Sequence, residues 1–307
     1  MSNWTQEILD QQQPDGGWGA FHTLFGSQKF QPDNQRADKK TTEQALWRLH
    51  ILGMTAQDEP IRRAIVYMEA CLAQPVSPVF TEKKHGLIFS DRMLAAWLRL
   101  FVPEHPAALR VARKWARVIE AAFSDGKYNH VLYAQTYEEQ FDNRLNPKAG
   151  MLVDFVSFYT VVLLRGLLPP ITEDAMLDYI LQRQLHYICK SPLNEPPEPF
   201  ASLEASRYTA ALELLAGYAF APEKLRFARD WLLQNRLPDG TWDFGPKAND
   251  GIYFPLSDSW RSADTRRADC TSRVEKLLER LTRSGEAGAR TGYLWGGTEC
   301  AISTPCA

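Results

Sequence analysis

One turn is written twice in this chain, and it limits the fold more than any other feature. Residues 12–18 read Gln12-Gln13-Pro14-Asp15-Gly16-Gly17-Trp18, and residues 234–242 read Gln234-Asn235-Arg236-Leu237-Pro238-Asp239-Gly240-Thr241-Trp242. Each copy follows a short stretch of helical character, Trp4 to Gln11 and Leu225 to Gln234. Pro fixes φ, Asp bonds nearby backbone and Gly accepts positive φ, so Pro-Asp-Gly ends a helix with a defined turn. The Trp that follows returns a large flat surface to the helix just left. A helix stop used twice predicts a repeat architecture whose unit is a helix hairpin.

Apolar residues recur at helical spacing. They predict paired helices over 3–13 and 41–53, 59–73 and 90–102, 106–123 and 151–167, 172–189 and 201–219, and 222–235 and 264–283. Gly53, Pro103 and Pro169-Pro170 stop three of them. Residues between 123 and 151, rich in Tyr, His and acids, read as a loop. The second member of each pair is the more apolar. Residues 152–164 are apolar nearly all round, as a helix buried on every side should be. The first members carry charged faces, for example Arg110, Arg113, Lys114 and Arg117. The pattern predicts an all-α fold of inner and outer helices. Composition changes abruptly after residue 283. Residues 284–307 are rich in Gly, Ala, Thr and Ser and hold Cys300 and Cys306. They read as a flexible tail, or as a peptide-like segment that lodges in a cleft.

Gln-x-x-Asp-Gly-x-Trp after a helix resembles the QW motif of triterpene cyclases and the related turns of protein prenyltransferase β subunits. Gln12, Asp15, Gly16 and Trp18 match it fully. The second copy keeps Asp239, Gly240 and Trp242, while Gln234 stands two residues too far away. The resemblance covers roughly residues 3 to 283. It implies an α/α toroid of about five to six helix hairpins over 1–283, with an isoprenoid or other apolar ligand in the central cavity.

Bulk properties narrow the partners. The net charge is −2, which gives no general attraction to nucleic acid. No apolar stretch is long enough to span a bilayer. The first residues lack the basic start and apolar run of a signal peptide. Cys71 and Cys189 fall in helical patterns and read as buried thiols, so a cytoplasmic, reducing location is expected.

The inner helices carry a second repeat. Aligned by their starts, they open with Glu43, Asp91, Asp154, Glu204 and Asp269. Inner helices of a toroid run the same way, so these acids are expected on one rim, where the long loops also arrive. Two readings stay open. Acids in a first turn complement the helix dipole and cap free N–H groups. Alternatively, a ring of carboxylates faces a cavity mouth and holds a cation or protonates a substrate.

The segment from Asp250 to Arg261 is the most unusual stretch. It is expected to line the mouth, with Tyr253 and Trp260 as an aromatic wall and Asp258 paired to Arg261, or to be pinned over the barrel end by its aromatics. His130 adds a proton shuttle or a solvated loop imidazole. Glu204 and Tyr208, four apart, share one helix face.

The diagnostic acids of the family are missing. The chain has no Asp-x-Asp-Asp and no Asp-Asp-x-x-Asp. Asp269 and Cys270 are adjacent where the zinc-holding pair of prenyltransferases is spaced, and no His follows them. With His130 they supply ligand types that zinc accepts; a buried Cys at a helix start accounts for the same residues. No phosphate-cradling Gly loop, nucleophile elbow or His-Glu-x-x-His is present. The sequence names no cofactor. For acid-initiated chemistry the favoured donors are Asp91, Asp154, Glu204 and Asp258. Tyr208, Tyr253, Trp260, Arg261 and His130 would shape the pocket. Two other classes suit a toroid: a carbohydrate-active enzyme with paired acids in an open Trp-lined groove, and a non-catalytic scaffold for a peptide or partner.

Overall fold

A computed structural model describes residues 3–22, 41–74, 84–257 and 259–282. Among these residues the chain is helical, with two isolated bridges in place of any strand. The expected outer helices are α1 (Asn3–Leu9), α3 (Glu59–Ala73), α5 (Pro106–Ala122), α8 (Pro170–Leu181) and α11 (Arg226–Gln234), the last preceded by the single turn α10 (Ala221–Lys224). The helices paired with them are α2 (Thr42–Ile51), α4 (Lys84–Phe101), α7 (Phe158–Leu164), α9 (Leu203–Leu215) and α12 (Ala263–Thr282). α12 departs from the expected apolar second member, being rich in Arg, Asp and Glu and burying one stripe that includes Cys270, Val274, Leu277 and Leu281. One more helix, α6 (His130–Phe141), lies where a loop is expected. The Gly-rich tail lies outside the described residues. Among the described residues, no helix is long and apolar enough to cross a membrane.

The repeated turn folds the same way at both places. Trp18 Nε1 donates to the Ile8 carbonyl at 2.6 Å, and Trp242 Nε1 donates to the Leu232 carbonyl at 2.6 Å. Asp15 accepts the Gly17 N–H, and Asp239 accepts the Thr241 N–H. The backbone N–H groups of Trp18 and Trp242 both end on a threonine hydroxyl, Thr42 in α2 and Thr271 in α12. Each turn therefore ties one helix to the next, α1 to α2 and α11 to α12. Gln12 Nε2 donates to the Gly16 carbonyl at 2.9 Å. In the second copy Arg236 occupies that position, and its Nε donates to the Gly240 carbonyl at 2.8 Å. The displaced Gln234 is thus not the counterpart of Gln12. A guanidinium makes the same bond and also lies 5.2 Å from the Trp242 ring centre.

α4 and α7 are the most completely buried helices and carry most of the packing. α4 packs against α3, α5 and α7; α7 also meets α5 and α9; α12 meets α9, α10 and α11. Every residue of α7 is buried, and α4 is buried nearly all round. α5 instead buries one face, with Ala108, Ala112, Trp115 and Ile119 inward.

Two departures from the predicted helices have local causes. α7 starts at Phe158 rather than near 151. Gly150 takes a left-handed φ of 54°, and Arg92 draws the carbonyls of Met151, Leu152 and Asp154 onto one guanidinium. Ser157 then caps the helix by accepting the Thr160 N–H. The apolar run 152–164 is buried as expected, but its first third is a bonded loop. α6 escapes its sequence pattern because it buries only Tyr133 and Tyr137, four residues apart, against α5.

Candidate functional site

The first turn of α2 is set by a capping box: Thr41 accepts the Gln44 N–H, and the Gln44 side chain accepts the Thr41 N–H. Glu43 lies in that turn and lines a cavity of about 210 Å³. The walls are largely aromatic: Trp47, Trp97, Phe158, Tyr159, Tyr187 and Tyr253, with His22 beside the acid.

Glu43 Oε1 accepts the Tyr159 hydroxyl at 2.6 Å and Trp97 Nε1 at 3.0 Å. Its Oε2 stands 3.4 Å from His22 Nε2. The Glu43 side chain keeps 16% of its surface accessible and His22 keeps 3%. Burial pushes the Glu43 carboxyl up to about 7, against the opposing pull of the Tyr159 and Trp97 hydrogen bonds. Burial pushes the His22 imidazole down to about 4. Between those values the pair keeps its proton on the carboxyl. Two donors already occupy Oε1, so the proton belongs on Oε2. A neutral carboxylic acid against an aromatic cavity is a competent proton donor near neutral pH.

Tyr187 reaches the cavity by a strained route. The His186 N–H donates to the Val156 carbonyl and the Phe158 N–H to the His186 carbonyl, which pins this segment to the start of α7. The next residue, Tyr187, sits at φ 75°, a left-handed conformation that costs a side-chain-bearing residue about 1–2 kcal/mol. Its ring lies 5.0 Å from Tyr159, and its buried hydroxyl has no hydrogen-bond partner among the described residues. A second cavity of about 520 Å³ shares Tyr187, Ile188, Ile252 and Tyr253 as a common wall and carries Arg207 and Lys190.

Of the residues expected from sequence, Tyr253 lines the aromatic cavity, its ring 5.9 Å from Trp47. The others lie elsewhere. Asp91 falls in the middle of α4 rather than its first turn and still reaches solvent. Crowding by the protein pushes its carboxyl up to about 6, with Lys114 opposing. Asp154 precedes α7 and is a loop clamp: it pairs with His186 at 3.0 Å and accepts the Val156 N–H. Burial opposes ionisation there, but those two bonds hold the carboxyl below its ordinary range. Glu204 is exposed in the first turn of α9. Tyr208, on the same helix, is fully buried, donates to the Leu193 carbonyl and packs on Trp231. His130 opens α6, exposed and bonded to the Tyr128 hydroxyl. Arg261 is exposed. Asp258 lies outside the described residues.

Asp269, in mid-helix rather than at a helix start, anchors the aromatic loop. Its Oδ2 accepts the N–H groups of Leu256 and Ser257, the Ser257 hydroxyl and Trp260 Nε1. Trp260 is therefore a strut of that loop and not a cavity wall. Burial pushes the Cys270 thiol up to about 12, which keeps it protonated, and its sulfur accepts the Phe244 N–H. Among the described residues no group of three or more His, Cys, Asp or Glu is placed to hold a metal ion.

Sequence reasoning placed Glu43 in the ring of acids but favoured four others. The distinguishing signal is local. Glu43 precedes Trp47 by four residues, so an acid and a large aromatic share one face of an apolar helix. His22 and Tyr187 carry no comparable signal, since tertiary bonds bring both in from irregular segments. No protein-family model, curated protein or solved structure matches the chain.

Proposed function

We propose that the chain binds a small apolar ligand in the aromatic cavity and acts on it through Glu43 as a carboxylic acid, in the manner of the terpene-cyclase and prenyltransferase-like toroids whose turns it resembles. The observation that carries this reading is the Glu43 carboxyl, held by Tyr159 and Trp97 on one oxygen and lining a cavity of aromatic rings. Proton transfer from Oε2 to an alkene would leave a carboxylate that already has two donors in place. The surrounding ring faces would stabilise the positive charge that develops on the ligand.

Size narrows the ligand. A cavity of about 150 Å³ holds benzene, so one of about 210 Å³ takes about eight carbon atoms. That suits one or two isoprene units and not a triterpene chain. The proposed frame is a toroid with α2, α4, α7, α9 and α12 inside. Two observations support it. A cavity of about 310 Å³ is lined by Ile51, Leu100, Arg165, Leu214 and Leu277, at or near the C-terminal ends of those five helices. Arg48 of α2 also donates to the carbonyls of Ile252 and Pro255, which joins the first inner helix to the loop before the last. The carbohydrate reading needs a second carboxyl in the same cavity, and among the described lining residues Glu43 is the sole acid. A reducing cytoplasm suits the buried thiols of Cys71, Cys189 and Cys270, all unpaired.

The test is binding and turnover of prenyl alcohols and alkenes of one, two and three isoprene units. Tryptophan quenching measures binding, and gas chromatography of extracts measures products. Tightest binding is expected at one or two units, with binding lost in Ile252→Trp, which fills the cavity. Glu43→Gln should keep binding and lose turnover by about 10²–10⁴-fold. Equal affinity for all chain lengths, or binding untouched by Ile252→Trp, would overturn the reading.

A further inference from the structure

The other end of α2 opens on a cavity of different chemistry. It measures about 310 Å³ and is lined by Arg165, Arg273, Lys276 and Arg280, with Glu213 as its one acid among the described lining residues. Glu213 is engaged by a single cation: Arg273 donates Nε to Oε1 at 2.7 Å and Nη2 to Oε2 at 2.8 Å. Three positive charges remain against none. Arg273 is 4% exposed, yet its Nη1 is buried without a hydrogen-bond partner. Arg165 donates Nη2 to the Leu214 carbonyl, and its Nε is likewise buried and unpartnered. Lys276 and Arg280 are exposed on α12 and make no hydrogen bond or ion pair among the described residues.

Helix capping explains only part of this. Cations near helix C-termini complement the carbonyl ends, and the bond from Arg165 to Leu214 does so. Packing accounts for the rest of the two buried guanidiniums, with Arg273 4.9 Å from the Phe254 ring centre and Arg165 against Gly217. Neither capping nor packing gives Lys276 and Arg280 a partner among the described residues. The excess charge is felt within the cavity. Burial pushes His50, another lining residue, down to about 4; Glu213 opposes this, and Arg165 and Arg280 reinforce it.

We infer that this cavity is a binding site for a phosphate group, held by Lys276 and Arg280 from the open side, with Arg165 and Arg273 adding positive charge from the wall behind it. Charge-assisted bonds from guanidinium and ammonium groups to a dianion are among the strongest such bonds. The volume is that of about ten waters at ~30 Å³ each, so it admits a phosphate with a short apolar substituent against Leu100, Leu214, Leu256 and Leu277. The site is separate from the Glu43 cavity, with Trp47 between them as a shared wall residue. Its failure would leave the acid reading untouched.

Calorimetric titration with inorganic phosphate and with phenyl phosphate, at constant ionic strength with chloride as the replacing anion, tests it. Saturable binding is expected in the wild type. The double variant Lys276→Gln/Arg280→Gln should weaken it about 100-fold, at about tenfold for each charge-assisted bond lost. Both positions are exposed, and an unchanged urea midpoint would confirm that the variant folds. Lys114→Gln on α5 should bind as the wild type does. Tighter binding of phenyl phosphate would mark an ester as the ligand; equal binding would mark the free ion. Absence of saturable binding to either compound, or equal affinity in the double variant, would overturn the inference.

Discussion

Replacing Glu43 by Gln should make the protein more stable at neutral and alkaline pH. In the unfolded chain this carboxyl titrates near 4.5, and in the fold burial moves it to about 7. Below the lower value both states are protonated and nothing is lost. Between the two the unfolded chain releases a proton that the fold retains, so stability falls as pH rises. Above the higher value the fold carries a buried charge and the loss is complete. At about 1.36 kcal/mol per pH unit, that displacement is worth about 3 kcal/mol. His22 works in the opposite sense: its imidazole drops from 6.5 to about 4 in the fold, so its contribution is present above 6.5 and lost as pH falls. In the wild type the two slopes nearly cancel between 4.5 and 6.5. The difference between wild type and Glu43→Gln isolates the carboxyl. Gln keeps an acceptor for Tyr159 and Trp97 and does not ionise. Urea unfolding followed by circular dichroism should give equal midpoints at pH 4.5, at the foot of the titration. With a slope of about 3 kcal/mol/M, the variant's midpoint should be higher by about 1 M above about pH 8. A midpoint difference that does not change with pH, or a wild type that is the more stable at about pH 8, would refute the raised carboxyl.

Other perturbations follow from the same contacts. Trp242→Phe leaves the buried Leu232 carbonyl without its indole donor and should cost about 1–3 kcal/mol in urea unfolding, whereas Trp18→Phe should cost less, because the Ile8 carbonyl still accepts the Gln11 N–H. Gly16→Ala should cost more than Gly53→Ala in thermal unfolding: both sit at positive φ, but a Cβ at Gly16 collides with the Arg63 backbone while none meets an atom at Gly53. Asp269→Ala removes the acceptor of four donors and should cost about 3 kcal/mol or more, with faster amide exchange across 252–260.

The helices that bury a wide apolar stripe were legible from spacing alone, and α3 matches its predicted span of 59–73. The repeated turn was legible because its residues act locally on their own backbone. What escaped depends on distant partners. The equivalence of Arg236 and Gln12 rests on what bonds the turn glycine's carbonyl, and two unlike side chains do it. The late start of α7 depends on Arg92, some sixty residues earlier in the chain, drawing in three carbonyls. The candidate site was half legible. An acid at the head of an apolar helix is visible in sequence; whether it is protonated is not. Asp154 and Glu43 look alike as acids beside apolar runs, but His186 and a backbone N–H hold one ionised, and an aromatic cavity keeps the other neutral.

The most direct test of the acid cavity is infrared difference spectroscopy, wild type minus Glu43→Gln, about one pH unit below the carboxyl's folded value, with and without a two-isoprene alcohol. A protonated Glu43 in the ligand cavity should give the carbonyl stretch of a carboxylic acid in the wild type alone, displaced in frequency when the alcohol enters. A carboxylate band at that pH, or a carboxylic band that ignores the alcohol, would contradict it.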